Sequence, residues 1–136
     1  MITLAEAVHA TGGRWLRQPL PESTPLIGAA FDTRQVGSSQ IFFALNGETA
    51  DGHAHVGKLA GGPARLLVVH QDLQPPGYEG AVLRVPDTLR ALADMAHFLV
   101  DKHRPKVVAI TGSYGKTTTK EVVANVLAGT RRVLKA

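Results

Sequence analysis

The residues best suited to chemistry form the stretch Thr111-Gly-Ser-Tyr-Gly-Lys-Thr-Thr118. Glycines allow backbone N–H groups to approach an anion, and the N-terminus of a following helix adds partial positive charge. In such a loop Lys116 would reach the β- and γ-phosphates of a nucleotide, and the Thr117 hydroxyl would ligate Mg²⁺. The pattern therefore predicts a phosphate-binding loop.

The spacing of this loop departs from the common motif G-x-x-x-x-G-K-[ST], which would place its first glycine at position 110. That residue is Ile110, and the glycine stands at Gly112, so the loop has the form T-G-x-x-G-K-T. An ordinary glycine turn is the alternative interpretation. The context favours phosphate binding, because an apolar run at 107–110 predicts a strand before the loop and Lys116 begins a predicted helix. The apolar face of that helix comprises Val122, Val123, Val126 and Leu127.

Composition bounds the class of protein. The chain has 136 residues, of which 44% are hydrophobic, and it contains no cysteine. This excludes disulfides, thiolate metal sites and cysteine nucleophiles within the sequence. No apolar run approaches the roughly 20 residues of a membrane helix, and the first residues lack the pattern of a signal peptide. We therefore expect a cytoplasmic protein with no membrane association.

The net charge of +4 is unevenly distributed. Residues 1–101 contain 7 Lys+Arg and 10 Asp+Glu, a balance of −3, whereas residues 102–136 contain 8 Lys+Arg and only Glu121, a balance of +7. A basic end could bind nucleic acid. However, Tyr114 is the only aromatic residue there, so nucleotide phosphates explain the charge better and we expect no nucleic-acid partner.

Hydrophobic periodicity predicts strands alternating with helices, which is typical of an α/β fold. The first predicted helix begins at Thr3, where Glu6 has the spacing of a capping box. A later helix is capped by Asp87 and carries Leu89, Leu92, Ala93, Ala96 and Leu99 at helical spacing. Pro105 marks the expected boundary between two units. The predicted elements are helices at 3–10, 55–59, 88–103 and from Lys116 to the stop at Gly129, and strands at 14–17, 26–31, 41–45, 65–69, 81–85, 107–110 and 132–134.

Several of these motifs together resemble the Mur ligases, which build the peptide of the bacterial cell wall. The segment Ala109–Glu121 is similar to their ATP loop, including its T-G-x-x-G-K-T form. Upstream motifs resemble, in the same order, the UDP-binding domain of the members that add the third and fourth amino-acid units, and Ser113 with Lys120-Glu121 favours the later member. The upstream motifs are Phe31-Asp-Thr-Arg34, Ile41-Phe-Phe-Ala-Leu45, Gly47-Glu-Thr-Ala-Asp-Gly-His53 and Val85-Pro-Asp-Thr-Leu-Arg-Ala-Leu92.

The resemblance implies an N-terminal UDP-binding α/β domain with a mixed sheet at 1–104. Residues 105–136 would be the start of an incomplete, Rossmann-like ATP-binding domain, with one strand, the phosphate loop and a helix. The implied activity is ATP- and Mg²⁺-dependent joining of D-alanyl-D-alanine to UDP-N-acetylmuramoyl-tripeptide through an acyl phosphate, in peptidoglycan precursor synthesis. We expect the chain to be the N-terminal piece of such a ligase and to have no ligase activity alone.

The resemblance also implies site residues. Thr33 and Arg34 match the motif near the UDP diphosphate, and Asp51 with Gly52 is expected to shape the adjoining loop rather than bind. Taken alone, Asp32-Thr-Arg34 is more typical of an Asx turn with a solvated arginine. The loop by the uridine comprises Glu48, Thr49 and Ala50. The ATP phosphates would be wrapped by Gly112, Ser113, Tyr114, Gly115, Lys116, Thr117 and Thr118, with Lys116 catalytic and Thr117 on the metal.

Three alternative functions remain open at this stage. They are the preceding Mur ligase, a non-catalytic nucleotide-binding module, and a folate or cyanophycin-type ligase, of which the last is disfavoured by the motifs at 32–34 and 47–53.

His53 and His55 could suggest a metal site, but loop polarity is the better interpretation. Trp15 is expected to be a partly buried packing residue. Apolar residues of 106–136 are expected to be exposed, which predicts a more mobile or association-prone segment.

Overall fold

The computed structural model describes residues 1–46 and 51–135. The chain divides into two compact units, Met1–Arg104 and Pro105–Ala136. Among the described residues, no helix has the length and apolar character needed to cross a bilayer.

The first unit contains seven short strands, two α-helices and a 3₁₀-helix within its described part. The helices are α1 (Leu4–Thr11), α2 (Thr88–His103) and the 3₁₀-helix Gly52–Leu59. The strands are β1 (Ile2–Thr3), β2 (Arg14–Arg17), β3 (Pro25–Leu26), β4 (Ala29–Ala30), β5 (Ile41–Phe43), β6 (Leu66–Val69) and β7 (Ala81–Arg84).

The main sheet has five strands in the order β2-β7-β6-β5-β4. Strands β4 to β7 are parallel to one another, and β2 pairs antiparallel with β7. The expected mixed sheet is thereby confirmed. Because β4 to β7 are parallel, their carboxyl ends meet at one edge of the sheet, where ligands of open α/β folds bind. A separate two-stranded sheet pairs β1 with β3.

The main sheet is buried on both faces, because side chains alternate between two apolar clusters. Ile41 and Phe43 belong to a cluster that includes residues of α1 and α2. Phe42, between them in sequence, belongs to the opposite cluster with Val56 and Leu59 of the 3₁₀-helix. Strand β6 is completely buried. The sheet is therefore a rigid layer that holds the loops at its edge.

Helix caps agree with the sequence patterns. Thr3 and Glu6 form the expected capping box at the start of α1, and the Asp87 side chain accepts a hydrogen bond from the backbone N–H of Arg90 at 2.9 Å. The expected apolar face of α2 is wrong at Leu89, which is 64% exposed, and at Ala93 and Ala96, which are also exposed. The buried positions are Thr88, Ala91 and Met95. Their spacing is equally helical, and the hydroxyl of Thr88 has a buried carbonyl partner, so a polar residue occupies the apolar stripe.

The predicted strand at 26–31 is divided in the structure. Leu26 ends β3 and pairs with Ile2 in the small sheet, whereas Ala29 and Ala30 form β4 in the main sheet. Gly28 lies between them with a φ of +96°, a conformation that glycine adopts readily. The chain therefore changes sheet at this glycine.

The second unit contains helix α3 (Lys116–Ala128). The strands predicted at 107–110 and 132–134 are wrong, since neither segment is a strand in the described residues. An apolar run becomes a strand only where another strand completes its hydrogen bonds, and within the described part of the chain neither run has one. Of the four residues expected to form an exposed apolar patch, Val122 and Val126 are exposed, whereas Ile110 and Leu127 are half-buried. Val107 and Val108 are exposed as well.

Candidate functional site

The glycine-containing loop before α3 has the backbone geometry of an anion-binding turn. Gly112 has a φ of +152° and Gly115 a φ of +76°, both in the range that favours glycine. Gly115 is the N-cap of α3, and no side chain caps this helix. The first helical hydrogen bond is donated by the N–H of Thr119 to the carbonyl oxygen of Gly115 at 2.8 Å. Earlier N–H groups of the helix are thus left for an anion.

Lys116 lies across this loop. Its Nζ atom donates a hydrogen bond to the carbonyl oxygen of Gly112 at 2.6 Å. The loop is not filled by its own side chains, because Tyr114 is 97% exposed. A Cβ atom placed on Gly115 would meet nothing within 4 Å. An exposed loop with glycines, free helical N–H groups and one ammonium matches the chemistry of nucleotide phosphates.

The charges of the second unit also favour the binding of an anion. Glu121 is its only carboxylate side chain. Lys135 donates a hydrogen bond to that carboxylate at 2.7 Å. This contact lowers the pKa of Glu121 and offsets its charge. The remaining basic residues therefore leave the unit with a net positive charge.

The first unit has an open pocket of about 460 Å³ at the carboxyl ends of β4 and β5. This volume lies within the usual range of small-molecule sites. Thr33 and Arg34 line it together, beside Phe31, His55 and Lys58. The last three residues were not among the predicted binding residues. Phe31 belongs to the motif at 31–34, whereas His55 and Lys58 come from the 3₁₀-helix, which is distant in sequence, so no local sequence signal marks them.

The turn after β4 has the geometry that the residues alone predict. The Asp32 carboxylate accepts a hydrogen bond from the backbone N–H of Arg34 at 3.0 Å, an Asx turn. It also pairs with the Arg34 guanidinium, whose closest nitrogen lies 2.6 Å from Oδ2. These hydrogen bonds lower the pKa of Asp32 to about 2. Arg34 therefore lines the pocket with its charge already matched by a neighbour.

Asp51 and Gly52 shape the backbone beside this pocket. The Asp51 side chain caps the 3₁₀-helix by accepting a hydrogen bond from the backbone N–H of His53 at 2.9 Å. Gly52 lies so close to Leu45 that an added Cβ atom would be 2.8 Å from its carbonyl oxygen. Glu48, Thr49 and Ala50, predicted to lie by a uridine, are outside the described residues.

His53 is a structural residue that sequence inspection did not identify. Its buried ring contacts Asp51 Oδ1 through Nδ1 at 2.7 Å. Its Nε2 accepts a hydrogen bond from the backbone N–H of His70 at 3.2 Å. Both ring nitrogens are therefore engaged, so His53 links the 3₁₀-helix to the end of β6. Within the described ranges no group of three His, Cys, Asp or Glu residues could hold a metal ion.

Comparison with known proteins adds independent evidence. No family model matches the chain. UDP-N-acetylmuramoyl-tripeptide–D-alanyl-D-alanine ligase of Bacillus subtilis is 36% identical over 132 residues, 97% of this chain and 28% of that enzyme. UDP-N-acetylmuramoyl-L-alanyl-D-glutamate–2,6-diaminopimelate ligase of Syntrophomonas wolfei is 31% identical over 109 residues, 79% of this chain and 22% of that enzyme.

Solved structures give the same result. MurF from Acinetobacter baumannii superposes with a TM-score of 0.80 at 32% identity, covering 96% of this chain and 28% of that one. MurF ligase from Thermotoga maritima, solved in complex with ADP, has a TM-score of 0.64 at 26% identity. The match covers 82% of this chain and 25% of that one. The chain thus spans about a quarter of the length of the relatives it matches.

Proposed function

Because this chain belongs to the Mur ligase family, we propose that it acts in joining D-alanyl-D-alanine to UDP-N-acetylmuramoyl-tripeptide, a step of peptidoglycan precursor synthesis. The observation that carries this proposal is the 36% identity over 132 residues, which extends through both units. The chain would supply the uridine-nucleotide pocket and the phosphate loop of that ligase.

The second unit is proposed to hold ATP, as its amide-lined loop and the ADP complex of a structural relative suggest. When bound, ATP supplies the phosphoryl group that activates the substrate carboxylate, and Mg²⁺ offsets its charge. Backbone amides at 112–118 would orient the phosphates, and the Thr117 hydroxyl would reach the metal ion. Lys116 would exchange its hydrogen bond to Gly112 for the β- and γ-phosphates.

The first unit is proposed to hold the UDP part of the substrate. Its pocket at the carboxyl ends of β4 and β5 contains the hydroxyl of Thr33 and the guanidinium of Arg34, which suit a diphosphate. Glu48, Thr49 and Ala50 are assigned to the uridine side on the motif alone.

Calorimetry tests this proposal. UDP-N-acetylmuramoyl-tripeptide should bind the chain with one site per molecule, and UDP-N-acetylglucosamine should bind because it shares the diphosphate. Uridine should bind much more weakly. Equal affinity for uridine and the two diphosphates would show that the pocket does not recognise the diphosphate. No binding of either diphosphate would refute the assignment of the first unit.

The ligase that adds the preceding amino acid is the second candidate, because a relative with that activity is 31% identical. Its substrate carries a dipeptide rather than a tripeptide. A clear preference for UDP-N-acetylmuramoyl-dipeptide in the same titration would favour this candidate. We expect the tripeptide to bind at least as well.

A further inference from the structure

The pocket beside the segment 31–34 contains a second cation, which has no ion-pair partner among the residues that the structure describes. Arg34 donates hydrogen bonds to both carboxylate oxygens of Asp32, from Nε to Oδ1 and from a terminal nitrogen to Oδ2. The two opposite charges offset each other. Lys58 also lines the pocket. Among the ion pairs of the described residues none involves Lys58, so it gives the pocket its surplus positive charge.

Position supports a ligand role for this lysine. Lys58 stands in the last turn of the 3₁₀-helix and is exposed, while its neighbours Val56 and Leu59 are buried in the core. The buried neighbours fix the backbone, and the long side chain keeps its amine in solvent. The lysine is thus held at the rim of a pocket that has room for a ligand.

His55 belongs to the same 3₁₀-helix as Lys58. It also lines the pocket. The 3₁₀-helix therefore contributes an ammonium and an imidazole to the lining of this pocket, and among the described residues no carboxylate besides that of Asp32 lines it.

We infer that Lys58 is a binding residue for the diphosphate of the uridine nucleotide. This inference rests on the proposed function of the first unit and adds a residue that neither the motif nor the resemblance assigned. A free ammonium contacts a phosphate as a point charge. Arg34, by contrast, would orient the ligand with little net attraction, because Asp32 already holds its guanidinium.

The test compares UDP with uridine by calorimetry on the whole chain and on the Lys58→Met variant. We expect the substitution to weaken UDP binding roughly tenfold, the loss of one charge-assisted contact. Uridine binding should be unchanged, since uridine has no phosphate. Lys58→Arg, which retains the charge, should keep most of the UDP affinity.

Arg65→Met is the matched control. Arg65 is exposed and precedes β6, at the opposite end of the parallel strands from the pocket. Losing this charge should leave UDP affinity unchanged, and circular dichroism should show all variants folded. If UDP binds the original chain but Lys58→Met binds it equally well, the inference about Lys58 is wrong. If the original chain binds no UDP, the proposed function fails and the inference fails with it.

Discussion

The ammonium of Lys116 lies 2.6 Å from the carbonyl oxygen of Gly112, so the lysine that follows the loop closes back over its first glycine. This contact holds a positive charge at the loop that precedes α3. Both partners are exposed to solvent. The contact can therefore open for a ligand without disturbing a packed core.

Replacing Lys116 with methionine should weaken the binding of Mg-ADP at least tenfold, because the loop loses its only ammonium. The fold should not change, since the side chain is exposed. Calorimetry at low salt measures the effect. Lys106→Met is the control, as this exposed lysine lies outside the loop. Equal losses in the two variants would show a general charge effect rather than a site.

Gly52→Ala should destabilise the first unit by about 1–3 kcal/mol, because the new methyl group would lie 2.8 Å from the carbonyl oxygen of Leu45. Gly57→Ala is a control in the same 3₁₀-helix, where an added Cβ atom meets nothing within 4 Å. That variant should be neutral or slightly stabilised. Thermal unfolding compares the stability of the two variants directly. Equal unfolding midpoints would contradict the close approach of Gly52 to Leu45.

Arg34→Met should raise the pKa of Asp32 from about 2 towards its ordinary value of 3.8. Because the folded-state pKa is depressed, the pair contributes stability above about pH 4 and loses it as the pH falls towards 2. Carbon-detected NMR titration of the aspartate side chains measures this shift. An unchanged Asp32 titration in the variant would mean that the ion pair does not persist in solution.

Thr88→Val should cost about 1–2 kcal/mol, although the two side chains have nearly the same shape. The buried Thr88 hydroxyl donates a hydrogen bond to the carbonyl oxygen of Ala44 at 3.1 Å. Valine would leave that oxygen without this donor. Thr88→Ser retains the hydroxyl and should lose less of its unfolding free energy in urea. A valine variant as stable as the original would show that the hydrogen bond contributes little.

Amide hydrogens of α3 should exchange faster than those of α2. Ala124 is the only buried residue of α3, whereas α2 buries three residues and packs others against the core. Few buried apolar contacts correspond to low local stability. Hydrogen exchange followed by mass spectrometry measures the difference. Equal protection of the two helices would contradict it.

Sequence patterns predicted the parts of the fold that depend on local chemistry. The capping box of Thr3 and the cap at Asp87 have local partners, and β6 is a continuous apolar run. The strand predicted at 107–110 failed because its identity depends on a partner strand rather than on its own residues. The prediction that Leu89 lies on the buried face of α2 was wrong because the periodicity alone allowed two neighbouring apolar stripes. Tertiary packing selected the stripe that contains Ala91 and Met95.

The candidate sites likewise contain some residues that local sequence identifies and others that only tertiary packing brings together. Glycine positions around the phosphate loop can be recognised from their spacing, because the backbone conformation requires them. Lys58 and His55 could not be recognised, since their relation to Arg34 arises from the packing of the 3₁₀-helix near the end of β4. His53 resembled a solvated loop residue, yet it is buried because Asp51 and the backbone of His70 satisfy both ring nitrogens.

NMR shift mapping of the ¹⁵N-labelled chain tests the central claim most directly, namely that two separate parts of one chain hold two different nucleotides. With UDP, the amides at 31–34 and 51–58 should shift, and millimolar Mg-ADP should shift those at 112–118. Shifts of the same residues by both nucleotides, or no shifts in either region, would contradict the account.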